Sequence, residues 1–348
     1  MNRLNALFLS LCLTLGSTGC TQDTHREFKR TILKFGTLID ITLYDVEPAL
    51  AERALDQLET NFNQYHADWT SWQDSPLMRA NEKLALGEPV KVDASIAQLI
   101  QRSQVLSQNS HGLFNPSINQ LISLWQMHRS DETNIQPPEP QVIQDWLKTK
   151  PNMNDLKLDG LTVRSRNPAA QLNFGAFAKG YAIDLSFDYL RILGIHNAVI
   201  NAGGDLSVRG RHGDRPWKIG IRHPREENTI AWLEAQDGES IVTSGDYERF
   251  YIYKGRRYHH ILDPRTGYPA EDSTSVTVIH HNAGTADAAA TALFVAGPKQ
   301  WQEIAKSMGI EYVMLIDDKN NIYMSRKMAE RVHFSEDQTG HILVSESL

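Results

Sequence analysis

The chain has 348 residues, 41% hydrophobic and 22% charged, which suffices to bury a sizeable core and lies outside disordered or collagen-like composition. Its formal charge is -7 and its Lys and Arg residues are scattered, so it carries no electrostatic footprint for nucleic acid. A phosphate-bearing ligand would need local help, from a cation or a few placed side chains.

In chain order, "MNRLNALFLSLCLTLGSTGC" comes first and reads as an address. Arg3, an apolar run from Leu4 to Leu15 too short to span a bilayer, and small residues Gly16 to Gly19 make a secretory signal peptide. The stretch ends on Cys20, and "STGC" resembles the lipoprotein box in which that cysteine is acylated, with Ser17 where Leu is usual. Only Cys12 and Cys20 are present, so the mature chain would hold one thiol and no internal disulfide, and lipid would cap that thiol in an oxidising compartment. A plain signal peptide with an incidental Cys20 is the other reading. The expected organisation is residues 1–19 as lipoprotein-type signal, 20–33 as tether and 34–348 as one domain. The lipid at Cys20 would hold it to the periplasmic side of a bacterial inner membrane, with the outer membrane as the alternative.

"FGTLIDITLY" is then a strand, Pro48 to His66 an amphipathic helix and Ala94 to Asn109 another, and "HRSDETNIQPPEP" is a polar loop. "LKLDGLTVRS" has the Asp-Gly hairpin signal. "QLNFGAFAKGYAID" predicts a helix from about Phe174, because Phe174, Ala178, Tyr181 and Leu185 line one face. Gly175 and Gly180 would each cost a helix up to roughly 1 kcal/mol relative to Ala, so backbone there should come close to something. Strands follow at "NAVINAG", "DLSVRG", "WKIGIRH", "SIVTSG", "FYIYKG" and "TSVTVIH", then a helix from near Asp287 and a closing hairpin, "YVMLIDDKNNIYMS". Strands and helices do not alternate regularly and GxGxxG is absent, which predicts α+β with largely antiparallel sheet rather than a doubly wound fold.

Several loops are richer in glycine and polar groups than turns require. "NAGGDL" can form an anion-binding concavity or a tight turn, and "TSGDYERF" is a functional strand end or a hairpin. "HHILDPRTGYPA" holds a histidine three residues before Asp263, which can orient it or simply cap the Pro-Arg turn. In "GTADAAATALFVAG", Thr285 or Asp287 can cap the helix, while Asp287 and Thr291 at i, i+4 also make a hard oxygen pair for Mg²⁺.

As an ordered set, "FGT", "SPLMRAN", "HGLFNPS", "NFGAFAKGYAID", "NAGGDL", "TSGDYERF", "HHILDPRTGYPA" and "DAAATALFVAG" resemble the ApbE family, the FAD:protein FMN transferases, from about Phe35 to the C-terminal region. The resemblance implies an ApbE-type, T-fold-like mixed α/β architecture. It also implies transfer of FMN from FAD to a threonine or serine of an acceptor flavoprotein, such as a subunit of an ion-pumping respiratory complex. It would place Mg²⁺ on Asp287, Thr291 and the Ala176 carbonyl. The flavin would lie against Asn173, Lys179 and Phe114, Asn115 and Pro116, with Phe35 and Met78 along the groove and His260 facing the reacting phosphate. The chain departs from the family at Asn173 and Asn115, where Asp is usual or frequent, and at Phe35, where Met is common. On that reading His260 is the base and Asp263 its orienting partner. Two alternatives stand beside it: an FAD pyrophosphatase giving FMN and AMP at the same site, and a non-catalytic FAD-binding lipoprotein, which would need neither the Asp287 and Thr291 pair nor a base.

Overall fold

The computed structural model describes residues 26–127, 135–336, 338–346 and 348. The signal peptide and Cys20 lie outside the described residues, as does the first half of the polar loop.

Strand β1 (Glu27–Lys34) pairs along its whole length with β2 (Thr37–Tyr44), from Glu27 opposite Tyr44 to Lys34 opposite Thr37. The tether expected over 20–33 is therefore sheet from Glu27 onward. Phe35 and Gly36 close this hairpin with φ of 56° and 73°, the paired positive values of a turn whose twist matches that of the strands.

The hairpin forms one edge of a nine-stranded sheet. Next come Ala198–Ala202, Asp205–Arg209, Ser240–Gly245, Ser273–His280, Tyr312–Asp317 and Ile322–Met324, and Ile342–Val344 forms the far edge. Every neighbouring pair is antiparallel except the last, so the α+β, largely antiparallel expectation holds. The central strands are buried on both faces. Val276 and Val278 point to the helices, and Ile241 and Ile279 point to a second core against the three-stranded sheet containing Trp217–Arg222 and Thr229–Ala235.

The longer helices among the described residues are α1 (Pro48–Trp69), α2 (Pro76–Ala85), α3 (Ala94–Asn109), α4 (Asn119–Leu124), α5 (Pro140–Thr149), α6 (Ala178–Ile192) and α7 (Ala283–Met308). Helix α1 starts where Glu47 accepts from the Ala49 and Leu50 N–H groups and Pro48 fills the first turn, and it buries Ala51, Ala54, Leu55, Leu58 and Phe62 on one face. Helix α7 is buried on nearly every side over "AGTADAAATALFVAG", which its alanines permit by letting the backbone press close to the sheet and to α6. A conformational break at Gly297 (φ 65°) precedes Pro298 and ends this limb.

Helix α6 begins at Ala178, four residues later than periodicity predicts. Residues Phe174 to Phe177 form a turn instead, with the Phe177 and Ala178 N–H groups both donating to the Phe174 carbonyl. Gly175 lies in this turn. Gly180 is helical, and its missing side chain answers to α7: a Cβ there would stand 2.3 Å from the Ala283 carbonyl oxygen. Helix α7 likewise starts at Ala283 rather than near Asp287. Its cap is Asn282, which accepts from the Thr285 N–H at 2.8 Å, so neither Thr285 nor Asp287 caps it. Asp184 adds to that terminus by accepting from the N–H groups of Ala283 (2.8 Å) and Gly284 (2.9 Å). Burial nonetheless pushes the Asp184 carboxyl up to about 6, against the pull of those bonds.

Candidate active site

A cleft of about 220 Å³ opens where the β1–β2 turn, the α6 N-terminus, α7 and the loops after Ser240–Gly245 and His259 converge. Its lining includes Phe35, Phe114, Asn115, Pro116, Asn173, Ala176, Lys179, His260, Asp287 and Thr291, so ten of the residues singled out in the sequence meet at one place. Met78 and Asp263 do not line it. Met78 lies on α2, and Trp72, in the preceding loop, lines the cleft instead. Asp263 is turned into its own loop, where it accepts from the Arg265 backbone N–H at 2.8 Å and pairs with the Arg265 guanidinium. His260 sits in a bend just past the strand that ends at His259, whereas Asp263 opens the following turn, its carbonyl accepting from the Thr266 and Gly267 N–H groups, so the two are placed by separate pieces of local structure.

At the polar end, the Lys179 ammonium stands 2.9 Å from Asp205 Oδ2 and 3.7 Å from Asp287 Oδ2. Burial works against the Lys179 charge, but the two aspartates outweigh it and hold its pKa above the usual value. Asp205 is pushed up to about 7, by burial first and then by the neighbouring Asp287 charge, with Lys179 opposing. Asp287 is raised by burial against the pull of Lys179. Lys179 is thus shared between two buried carboxylates, and the Arg249 charge also reaches both.

The donor atoms suit a hard cation. The Gly180 N–H, which a regular helix would direct to the Ala176 carbonyl, donates to Asp287 Oδ2 at 3.2 Å, and among the described residues no backbone N–H takes up the Ala176 oxygen. Thr291 stands one turn beyond Asp287, its hydroxyl 3.4 Å from that of Ser244. The buried Asp205 Oδ2 is ion-paired to Lys179 yet accepts no well-directed hydrogen bond. No group of three or more His, Cys, Asp or Glu side chains among the described residues is disposed to hold a metal. A cation here would therefore rest on a mixed carboxylate, hydroxyl and carbonyl set, the chemistry of Mg²⁺ rather than of zinc.

His260 is fixed by one carbonyl. The Arg249 oxygen accepts from the His260 backbone N–H at 3.1 Å and lies 3.2 Å from its Nδ1. A carbonyl only accepts, so Nδ1 carries the hydrogen and Nε2 is left with a free lone pair. Burial, and after it the Arg249 charge, hold the imidazole well below its ordinary pKa. The neighbouring His259 is committed to structure, with Nε2 2.9 Å from the Ala270 carbonyl.

The two Asn departures have local reasons. The Asn173 amide donates to Ser71 Oγ (2.8 Å) and Asn119 Oδ1 (3.2 Å), while its oxygen accepts from the Gly175 N–H. Asn115 donates to the Pro151 carbonyl at 2.9 Å and accepts from Ser117. A carboxylate could make neither donation. Phe35, the third departure, packs edge-on against His66, ring centres 5.5 Å apart. In "NAGGDL" the Gly204 N–H is spent on Asn201 Oδ1 and a Cβ at Gly203 would strike Thr37, so the glycines serve a tight turn that delivers Asp205 to the cleft. Asp205 and Arg249 are charged cleft residues that were not foreseen, although both lie inside the quoted motifs "NAGGDL" and "TSGDYERF".

The ApbE family model matches residues 35–314. The chain belongs to the ApbE family. It is 39% identical over 89% of its length to an FAD:protein FMN transferase of Rhodobacter capsulatus, of which it spans 59%. It is 31% identical to an FAD:protein FMN transferase of Treponema pallidum, with 95% of each chain covered. The crystal structure of an ApbE protein from Thermotoga maritima superposes with a TM-score of 0.79 at 27% identity, covering 88% of this chain and 99% of that one.

Proposed function

We propose that this chain is an FAD:protein FMN transferase that moves FMN from FAD to a threonine or serine hydroxyl of an acceptor flavoprotein and releases AMP. The observation that carries the reading is the convergence of the free His260 Nε2, Lys179, Asp287 and Thr291 on one cleft whose other wall is aromatic. Membership of the ApbE family and the names of its relatives support it.

FAD joins FMN to AMP through a pyrophosphate. Transfer forms a bond from the acceptor hydroxyl oxygen to the FMN phosphorus and breaks that phosphorus's bond to the bridging oxygen, whose electron pair leaves with AMP. The hydroxyl proton goes to His260 Nε2. Its lowered pKa keeps it unprotonated at neutral pH, and the arriving diphosphate charge would raise its basicity toward the reacting range. A base so placed contributes about 10²- to 10⁴-fold. Lys179, steadied by Asp205, offsets charge on the phosphates. Mg²⁺ held by Asp287, Thr291 and the Ala176 carbonyl would supply the rest of that neutralisation. Phe35, Trp72 and Phe114 offer faces for the isoalloxazine and keep water from it. The acceptor would be a flavoprotein such as a subunit of an ion-pumping respiratory complex, met on the periplasmic side of the membrane where a lipid on Cys20 holds the chain.

The test is to incubate the full-length protein with FAD, Mg²⁺ and candidate acceptor proteins and to look for covalent flavin fluorescence on denaturing gels. AMP release without a fluorescent acceptor band would make it a pyrophosphatase, and FAD binding without AMP release a passive binder.

A further inference from the structure

Among the described residues, one cation of the cleft makes no hydrogen bond and no ion pair with its side chain. Lys179 is tied to Asp205, and elsewhere Arg225 pairs with Asp246, Arg265 with Asp263 and Arg331 with Glu239. Arg249 lines the cleft beside His260, and among the described residues its guanidinium makes no hydrogen bond and no ion pair. A guanidinium left without a partner beside an active cleft has a site-level explanation when its counter-ion arrives with the substrate.

Its placement is built rather than incidental. The loop that carries it leaves the sheet at Gly245, and the next residue, Asp246, is clamped by both Arg225 terminal nitrogens at 2.7 Å each, while its N–H donates to the Thr274 carbonyl. On the other side of Arg249, its own carbonyl is held by the His260 backbone and ring. The backbone is thus fixed on both sides of a side chain that is exposed at the cleft. Its charge is felt by the adjacent Glu248, by Asp287 and Asp205, and by His260. Glu248, also in the lining, stays unpaired with it, so the fork remains available.

We propose that Arg249 takes the diphosphate of FAD, its planar fork donating to non-bridging phosphate oxygens and its charge remaining with the phosphate of AMP as the bridging bond breaks. One residue would then serve the reaction twice: the carbonyl fixes which His260 nitrogen is the base, and the guanidinium holds the group that base acts upon. This rests on the FMN-transfer reading, and its test is chosen to stand apart from it.

Full-length Arg249→Gln and Arg249→Lys, titrated with FAD and with riboflavin by quenching of flavin fluorescence, read the contact directly. Both variants keep the backbone carbonyl and hence the His260 tautomer. Loss of a charge-assisted contact should weaken FAD by about 10- to 100-fold in Arg249→Gln, with Arg249→Lys between it and the parent. Riboflavin, which lacks both phosphates, should bind all three proteins alike, and the melting temperature without ligand should not move. Unchanged FAD affinity would overturn the proposal, as would an equal loss for FAD and riboflavin or a fall in the unliganded melting temperature, either of which would make Arg249 structural. Because no acceptor protein is present, a selective loss of FAD stands even if His260→Ala transfers normally.

Discussion

Replacing Gly180 with Ala tests whether the α6–α7 contact sets the geometry of the polar cluster. The added Cβ would lie 2.3 Å from the Ala283 carbonyl oxygen, 2.6 Å from its carbon and 2.9 Å from Gly284 Cα. All three are backbone atoms, so no rotamer change relieves the clash and the helices must part by on the order of 1 Å to reach ordinary contact. Overpacking of that kind costs about 1–3 kcal/mol. Against it stands the better helix propensity of Ala, worth up to about 1 kcal/mol. The clash wins, by roughly 1–2 kcal/mol, and the melting temperature should fall by about 2–6 °C. Activity should fall further than stability, because the Gly180 N–H to Asp287 Oδ2 bond, already 3.2 Å, would stretch and the spacing of Lys179 from Asp287 would change. Thermal unfolding and the transfer rate are measured on the same preparation. Gly175→Ala is the comparison: its Cβ meets only the Asn173 side-chain oxygen, at 3.0 Å, so its effect should come through Asn173 with little loss of stability. A Gly180→Ala protein that melts at or above the parent temperature and transfers at the parent rate would refute the close-contact argument.

Asp287→Asn removes the one carboxylate of the implied metal set at constant size; transfer should drop severely and recover partly at high Mg²⁺, whereas Thr291→Ala, which loses a neutral ligand, should be milder. Unaltered magnesium-dependent turnover in a folded Asp287→Asn protein would put the metal elsewhere. His260→Ala should slow transfer by about 10²- to 10⁴-fold while FAD still binds, and near-normal transfer would demote the imidazole to structure. For pH, burial, Arg249, His259 and Lys179 all disfavour imidazolium in the fold. The acid limb of kcat/KM in the parent should therefore lie below 6.5 and rise toward it in Arg249→Gln, and the stability this group contributes is full above 6.5 and lost as pH falls below that. Cys20→Ser should release the protein from bacterial membranes without changing its activity, and persistent membrane association would sink the lipid anchor.

How much of this was legible depends on the range over which each cause acts. Fold class followed from irregular alternation of elements, and α3 from periodicity alone, because its buried face and its ends are properties of consecutive residues. Helix α6 was misplaced at its start for the opposite reason. Phe174 and Ala178 do share a face, but the turn from Phe174 to Phe177 is stabilised by what it delivers: the Asn173 contacts behind it and the Gly180 N–H given to Asp287, more than a hundred residues away in sequence. Gly180 announced a close approach correctly, yet the partner is the backbone of α7, which no local pattern names.

The same distinction separates the site residues. Lys179, Ala176, Asp287, Thr291 and His260 were reached through motif order, and they do converge. Asp263 was reached by adjacency to His260, but its carboxylate is committed to Arg265 in the turn that follows. Asp205 and Arg249 each sat inside a quoted motif, and nothing in a glycine turn or a strand end distinguishes a surface charge from one aimed at Lys179 or His260. What makes them functional candidates is a difference between two kinds of pairing. Asp205 is buried with an ammonium that it shares with Asp287, and among the described residues Arg249 makes no ion pair. On the proposed reading, a carboxylate that shares its ammonium and a guanidinium without an ion pair would meet a ligand bearing both signs of charge, as a metal diphosphate does.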